Sequence, residues 1–463
     1  MKLRMTLVAP LLLWPALVAA QEPPAPPAMS LRDAVNYALE HAPDLKLSQA
    51  EVRRREGGVT SVHAGLMPQV DLAADAAWTH LEHGYPLGAT PSTLRFDTAL
   101  FTGAADAKWM VWDFHRTQLE LDAAREQVEA ASAGVDRRRQ ELVFDTARLY
   151  LQTLAYTDLI DAADARAASL RSLLDRTNQL VAAGRGVPVD ALKIQTRLAE
   201  VESSLAALRA GRRSSLSALA AVMGFEGDLP TLTYAAASQE QAPPPAVQGD
   251  ALRAAAASRP ELASQDHEIR AAEQAEAAAH QSAWPRIDLR AAVVQYGSDD
   301  PMGFAQFISK LLPAAPANVP AVSSAATDWL LGVHVSMPLF DGGRRKGRML
   351  AAAAQAEEAR LVRQQLSLRV AREVRTALAD LESAQSRVRA LRDSVAEGER
   401  VLHDERLKYE AGRSVINFVL DAESALLTSQ SLLSQAERSV TTAALALDLA
   451  TGRIDVNRLP EPR

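Results

Sequence analysis

Four stretches of the chain alternate apolar and polar residues with a period of two. In "QVDLAADAAWT" one face carries Val70, Leu72, Ala74, Ala76 and Trp78, and the other carries Asp71, Ala73, Asp75, Ala77 and Thr79. "ALFTGAADAKWMVWD" sets Phe101, Gly103, Ala105, Ala107, Trp109 and Val111 against Thr102, Asp106 and Lys108. "RIDLRAAVVQ" sets Ile287, Leu289, Ala291 and Val293 against Asp288 and Arg290, and "DWLLGVHVSMPLFD" sets Trp329, Leu331, Val333, Val335, Met337 and Leu339 against Gly332, His334 and Ser336. About ten residues of such alternation match a strand of an outer-membrane barrel, with lipid on one side and a polar lumen on the other. A half-buried hairpin of a soluble domain alternates in the same way. Trp78, Trp109, Trp112 and Trp329, near strand ends, favour the membrane, because such rings settle at its interfaces. Four strands cannot close a barrel, since even eight leave only a side-chain-filled interior. Several chains must therefore share one.

Elsewhere the periodicity is helical. From about His115 to Ala183 only Gly134 interrupts the pattern, and a helix of that length reaches on the order of 100 Å. Leu121, Val128, Val135, Leu142, Leu149 and Tyr156 recur every seven residues, as do Val374, Leu381, Val388, Val395, Leu402 and Tyr409. A sustained seven-residue repeat predicts supercoiled helices packed side by side. Each long helix ends at a Gly-Arg turn, "AAGRGVPVD" and "EAGRSVINF", after which a helix of about 35 residues (188–222 and 415–450) must run back antiparallel. Helical segments over 31–66 and 248–283 precede the two strand pairs.

The chain is an internal duplication. "HAPDLKLSQAEVRR" aligns with "SRPELASQDHEIRA" at a shift of 217, which also pairs Pro68 with Pro285 and Asp71 with Asp288. Beyond the strands the shift is 228, pairing Asp113 with Asp341, Gly184 with Gly412, Val187 with Val415 and Gly224 with Gly452. The second unit thus carries about 11 extra residues between 297 and 327, in a Gly/Pro/Ser-rich loop. The expected organisation is a first repeat over 21–240, a linker over 241–249 and a second repeat with a C-terminal segment over 250–463.

Residues 1–20, with Lys2 and Arg4 before a proline-interrupted apolar run and Val18-Ala19-Ala20 at its end, read as a secretory signal peptide. The mature chain then starts near Gln21 with 48 basic and 57 acidic residues, a net charge of −9 that argues against a nucleic-acid partner. With no cysteine, neither a disulfide framework nor an N-terminal lipid anchor is available. No later segment is apolar enough for a transmembrane helix, so any membrane crossing falls to the strands.

The leader, the duplicated helix-strand-strand-long helix-turn-helix unit, "FDGGRRKGRMLAAAAQAEEARL" and "YEAGRSVINFVLDAESALLTSQSLLSQAERSVTTAALALDLATG" together resemble the TolC-like outer membrane factor family over essentially the whole mature chain. The resemblance implies an α+β membrane protein. Four strands per chain would complete a twelve-stranded outer-membrane barrel in a homotrimer, continued by a twelve-helix periplasmic α-barrel. It also implies outer-membrane lipid around the barrel, a periplasmic adaptor (membrane fusion) protein and an inner-membrane transporter as partners, and no cofactor. The chain would be the exit duct of a tripartite efflux or type I secretion system in a Gram-negative envelope, with the pump choosing the cargo.

On the same resemblance, the two turns form the adaptor-contact tips: Gly184, Arg185, Gly186 and Val187 in the first, and Gly412, Arg413, Ser414 and Val415 in the second. The glycines are equally read as helix caps. Asp190, Tyr409 and Asp421 fall where the family keeps gate residues, and a phenol donating to a carboxylate would latch neighbouring helices. Carboxylates ringed at a constriction would select cations. This chain departs from the pattern at Phe418, where a second gate aspartate would fall, and at Arg413, which directly follows its glycine.

Enzyme signatures such as a Walker loop, HExxH, GxSxG or GxGxxG do not occur. His80 and His83 of "HLEH" are expected where a strand runs into its extracellular loop, and two ligands alone make no metal site. His334 reads as a lumen-facing polar residue. Two function classes remain, a transport duct and a non-conducting coiled-coil envelope structural or adhesive protein.

Overall fold

The computed structural model describes residues 28–87, 90–184, 186–227, 229–232, 248–298, 325–411 and 413–459. The leader, the expected mature start at Gln21, Arg185, Gly412, most of the expected linker and most of the loop insertion lie outside the described residues. The elements run β1 (Ala28–Met29), α1 (Leu31–His41), α2 (Pro43–Ala64), β2 (Gln69–Leu87), β3 (Thr90–Trp112), α3 (Arg116–Ala182) and α4 (Pro188–Met223). They continue as β4 (Thr231–Leu232), α5 (Gln248–Ser258), α6 (Pro260–Gln281), β5 (Arg286–Ser298), β6 (Ala325–Ser336), α7 (Arg344–Glu410) and α8 (Ile416–Ala450). Helix α5 starts at Gln248, inside the span read as linker.

Proline corrects the expected helices over 31–66 and 248–283. A residue before proline is pushed out of the helical region, and Ala42 (ψ 125°) and Arg259 (ψ 116°) are extended there. Each segment therefore splits, at Pro43 and at Pro260, into an 11-residue and a 22-residue helix. Ser30 starts the first with a reciprocal cap, accepting from the Asp33 N–H at 3.2 Å while its own N–H donates to the Asp33 carboxylate at 3.1 Å.

Strands β2, β3, β5 and β6 form one antiparallel sheet in that order. At 19 and 23 residues, β2 and β3 are longer than their alternation suggests. Ladder pairing carries them through "HLEHGYPL", where the side-chain pattern fades. His80 and His83 thus lie inside β2, opposite Asp97 and Leu94, rather than at a loop border.

Directly opposed residues share a face, so the register brings all four apolar rows to one side. Leu72 lies opposite Ala105, Ala105 opposite Val293, and Val293 opposite Trp329. Polar residues share the other side: Asp71 is opposite Asp106, Lys108 opposite Arg290, and Asp288 opposite His334. The apolar face is bare in the protomer, with Leu72 86% and Trp329 77% exposed.

Helices α3 and α7 each have 67 residues, about 100 Å. The heptad residues are their buried seam: Leu121, Leu142, Leu149, Val374, Leu381, Val388 and Leu402 are buried. Val135, Val395 and Tyr409 pack on the same clusters. A mid-height cluster joins α1, α3, the end of α4 and the C-terminal segment through Val35, Tyr150, Leu219, Met223, Ile454 and Leu459. There β1 pairs in parallel with β4, and the buried Tyr150 hydroxyl donates to the Met29 carbonyl at 2.8 Å. A second cluster gathers α5, α6, α7 and α8 around Val374 and Leu447.

Each returning helix docks on the proline break of its own repeat. Gly224 (φ +69°) ends α4 against His41, Ala42 and Pro43, and Gly452 (φ +70°) follows α8 against Ser258 and Arg259. A Cβ on Gly452 would sit 2.5 Å from the Ser258 carbonyl oxygen. In the second repeat the junction is charged. Arg259, 3% exposed, donates to the Leu449 and Ala450 carbonyls at 3.2 and 3.3 Å and pairs with Glu261 at 2.6 Å and with Glu373. It thereby satisfies carbonyls that a helix end leaves orphaned. Breaking a buried ion pair costs about 3–5 kcal/mol, and partial exposure of Glu373 points to the lower end. Arg259→Ala should therefore lower the thermal midpoint of the detergent-solubilised protein markedly, and Arg259→Lys should recover part of the loss.

Candidate functional site

The candidate site is the pair of helix turns at the ends of α3–α4 and α7–α8, far from the sheet. An apolar cluster binds the two hairpins together there, built from Ile160, Leu170, Ile194, Val201, Leu402, Ile416, Val419 and Leu420, with Tyr409 packed on its margin. Side chains at spacings of three and four in the first turns of α4 and α8 supply it, which fixes the opposite faces outward.

In the first turn, the Ala183 N–H donates to the Gln179 carbonyl and the Gly184 N–H to the Val181 carbonyl, each at 3.0 Å. Gly184 holds φ +71°, and a Cβ on Gly186 would lie 2.8 Å from the Val181 nitrogen. Gly184 thus takes the left-handed helix-cap position, and Gly186 is required by a close backbone approach. Val187 occupies the N-cap of α4 without a side-chain cap, and Pro188 starts the helix.

The second turn closes differently. Its N–H bonds run from Ala411 to Leu407 at 3.0 Å and from Arg413 to Lys408 at 2.8 Å. At the repeat position of Gly186 stands Ser414, whose hydroxyl donates to Glu405 at 3.0 Å, while the Lys408 ammonium donates to the same carboxylate at 2.7 Å. The Lys408 and Ser414 hydrogen bonds hold the Glu405 carboxyl below the usual carboxylate range, and Glu405 raises Lys408 in return. Sequence reasoning missed Glu405. Its pairing with Lys408 is readable from the spacing of three, but its bond to Ser414 depends on how the turn folds back.

The expected gate residues do not form a latch within one protomer. Asp190 sits in the first turn of α4, its N–H donating to the Val187 carbonyl at 3.0 Å and its carboxylate 3.9 Å from Lys193. That places a negative charge where the helix dipole favours it. Among the described residues, the Tyr409 hydroxyl and the Asp421 carboxylate have no hydrogen-bond partner. Arg413 contributes its backbone N–H to the turn. Phe418 is 58% exposed and, with Val187, Val189, Leu192 and Val415, makes the tips apolar.

Behind the tips, charged groups join the hairpins at positions the sequence did not single out. The buried Glu423 lies 3.8 Å from Arg406, which also donates to Ser169 at 3.4 Å. Burial pulls the Arg166 guanidinium down, and Glu423 acts the other way. Further along, Arg438 and Ser434 of α8 donate to Asp158 of α3 at 2.9 and 3.0 Å.

A family model described as outer membrane efflux protein matches residues 34–225 and 251–453. Both matches begin and end at equivalent positions of the two repeats. The outer membrane efflux protein BepC of Brucella suis biovar 1 (strain 1330) is 24% identical over 431 residues, 93% of this chain and 87% of that protein. Protein CyaE of Bordetella pertussis is 21% identical over 448 residues, 96% of this chain and 88% of that protein. The Campylobacter jejuni CmeC outer membrane channel matches with a TM-score of 0.74 at 14% identity, over 92% of this chain and 88% of that one. VceC of Vibrio cholerae gives 0.71 at 20% identity, over 91% and 96%. These solved structures share the fold.

Because the folded Glu405 is more acidic than an ordinary carboxyl, near 4.3, its contribution to the second turn is full above that value and is lost as pH falls through the depressed one. Amide exchange at residues 413–415, corrected for intrinsic rate, should match at pH 7 and pH 5 and rise in stronger acid. Glu405→Gln should show the faster exchange already at pH 7.

Proposed function

The chain belongs to the outer membrane efflux protein family, and on that premise we propose that it is the outer-membrane exit duct of a tripartite efflux or secretion system. Three copies would share one twelve-stranded barrel and one helical tunnel. The observation that carries this reading is the sheet: four strands with every apolar row on one side, charged rows on the other, and two open edges. Unpaired backbone groups at a sheet edge are not tolerated in lipid, so such a sheet must close. Among the described residues no helix is long and apolar enough to cross a membrane, which leaves the crossing to the strands. The charged face would then line a water-filled passage, and helices about 100 Å long would carry it into the periplasm.

At the far end, the apolar tips at Val187, Val415 and Phe418 would meet a periplasmic adaptor that connects the duct to an inner-membrane transporter. Asp190, Tyr409, Arg413, Phe418 and Asp421 would form the constriction. Among the described residues Tyr409 and Asp421 have no hydrogen-bond partner, as expected of groups that pair across a subunit boundary. A non-conducting structural or adhesive role gives the charged inner face of the sheet no purpose.

The test is conductance of the purified protein in planar bilayers. A low-conductance closed channel is expected, and Tyr409→Phe combined with Asp190→Ala should raise its conductance several-fold. An unchanged double variant removes the latch, and a parent that never conducts favours the structural role.

A further inference from the structure

The two repeats are related closely enough to fix how the open edges of the sheet pair. In the first repeat β2 meets β3 with Gln69 opposite Lys108, Asp71 opposite Asp106 and Ala77 opposite Leu100. Shifting β2 by 217 and β3 by 228 turns these pairs into Arg286–Ser336, Asp288–His334 and Val294–Asp328, which are the observed pairs of β5 with β6. The operation reproduces a ladder it was not built from. Applied to the remaining ladder, β3 with β5, it carries β3 onto β6 and β5 onto β2, the two edge strands of the described sheet.

We propose that β6 pairs antiparallel with β2 of a second copy of this chain, with Val335 opposite Ala74 of the partner subunit and His334 opposite Asp75 of the partner subunit. These pairs are the images of Ala107–Ala291 and Asp106–Ala292. The proposal rests on the shared-barrel reading above and adds the register to it.

Two independent features support this register. The first is the facing. Val333, Val335 and Met337 fall opposite Ala76, Ala74 and Leu72 of the partner subunit, so the exposed apolar rows of both edges continue one lipid face. A slip of one residue would turn each row into the lumen.

The second is the length of β6. Strand β3 runs on to Trp112, and beyond Lys108 its only ladder is with β5. Strand β6 stops at Ser336, and the counterparts of that final stretch, Met337 to Phe340, lie in no ladder. Leu339 is 84% and Phe340 90% exposed. The segment lacks regular pairing where its neighbour would be the missing strand. The β3–β5 register shifts between Met110 and Trp112. Its image puts Pro338 beside a bulge, one of the few sheet positions that tolerate a proline.

The seam also completes a polar row. His334 already has Asp288 opposite it within the chain, and Asp75 of the partner subunit would flank it on the other side. Every junction in the barrel, within or between copies, would then repeat the same two ladders.

Because the chain has no cysteine, paired substitutions read the register directly. Within one copy β2 and β6 are three strand spacings apart, about 14 Å, well beyond the ~7 Å Cα separation a disulfide spans. Any cross-link between them is therefore intermolecular. Val335→Cys with Ala74→Cys and His334→Cys with Asp75→Cys would be oxidised in isolated outer membranes. Displaced controls combine Val335→Cys with Leu72→Cys or with Ala76→Cys. One in-register pair lies on each face, so one of them occupies the closer, non-hydrogen-bonded type of position.

The expected result is a covalent trimer on denaturing gels for at least one in-register pair, at least tenfold stronger than for either control. A stronger product from a displaced pair, or none from any pair while the cysteine-free parent has a trimeric native mass, overturns the register and leaves the shared barrel standing. A monomeric native mass of the parent overturns both.

Discussion

Backbone hydrogen bonding in a medium without water is the constraint on which the rest of this architecture depends. A strand crossing lipid must pair on both sides, yet among the described residues the antiparallel sheet has four strands and two bare edges. Everything else about the sheet suits a lipid boundary, from the apolar rows aligned by register to the charged rows opposite them. The protomer is thus an arc of a larger surface, and exposed apolar side chains such as Leu72, Trp329 and Val333 lie on that arc.

The helical part solves a different problem, holding two hairpins of about 100 Å parallel with few large side chains. Heptad positions supply a continuous seam, and clusters at mid-height and at the tips pin it. Between those clusters, ion pairs such as Arg438–Asp158 join helices of different repeats. The proline breaks at Pro43 and Pro260 end the short helices where Gly224 and Gly452 must pass at close range, so each repeat locks itself at the same height. Only the second repeat adds a buried arginine there, at the position Ala42 holds in the first. Duplication set the geometry, and divergence changed what stabilises it.

Divergence is also visible at the junction between sheet and long helix. Phe114 and His115 adopt left-handed backbone conformations, φ 57° and 66°, where the second repeat places Gly342 and Gly343. Left-handed φ is unfavourable for a bulky residue, and here Phe114 stacks on Trp284 at 5.0 Å while Trp112 meets both Phe114 and His115 edge-on. Aromatic contacts of this kind contribute roughly 0.5–1.5 kcal/mol each, enough to offset local strain. The tips differ in the same spirit, with a bare Gly186 in one turn and a Ser414–Glu405–Lys408 tie in the other.

Much of this was legible in the sequence because it is periodic. Alternation marked the four strands, the seven-residue repeat marked the long helices, and the shifts of 217 and 228 aligned every helix of one unit with its counterpart in the other. The Gly-Arg turns announced the hairpin ends. The sequence did not show the full length of β2 and β3, because ladder pairing extends strands past the point where alternation fades. It also hid the helix breaks at Ala42 and Arg259, which read as continuous helix until the residue before each proline is placed. Individual roles at the tips were least legible. Whether Asp190 faces Lys193 or Tyr409, and whether Glu405 reaches Ser414, depends on side chains meeting across a turn or between helices far apart in sequence. Local pattern determines which elements form and which faces they bury, whereas tertiary packing decides which polar groups find partners.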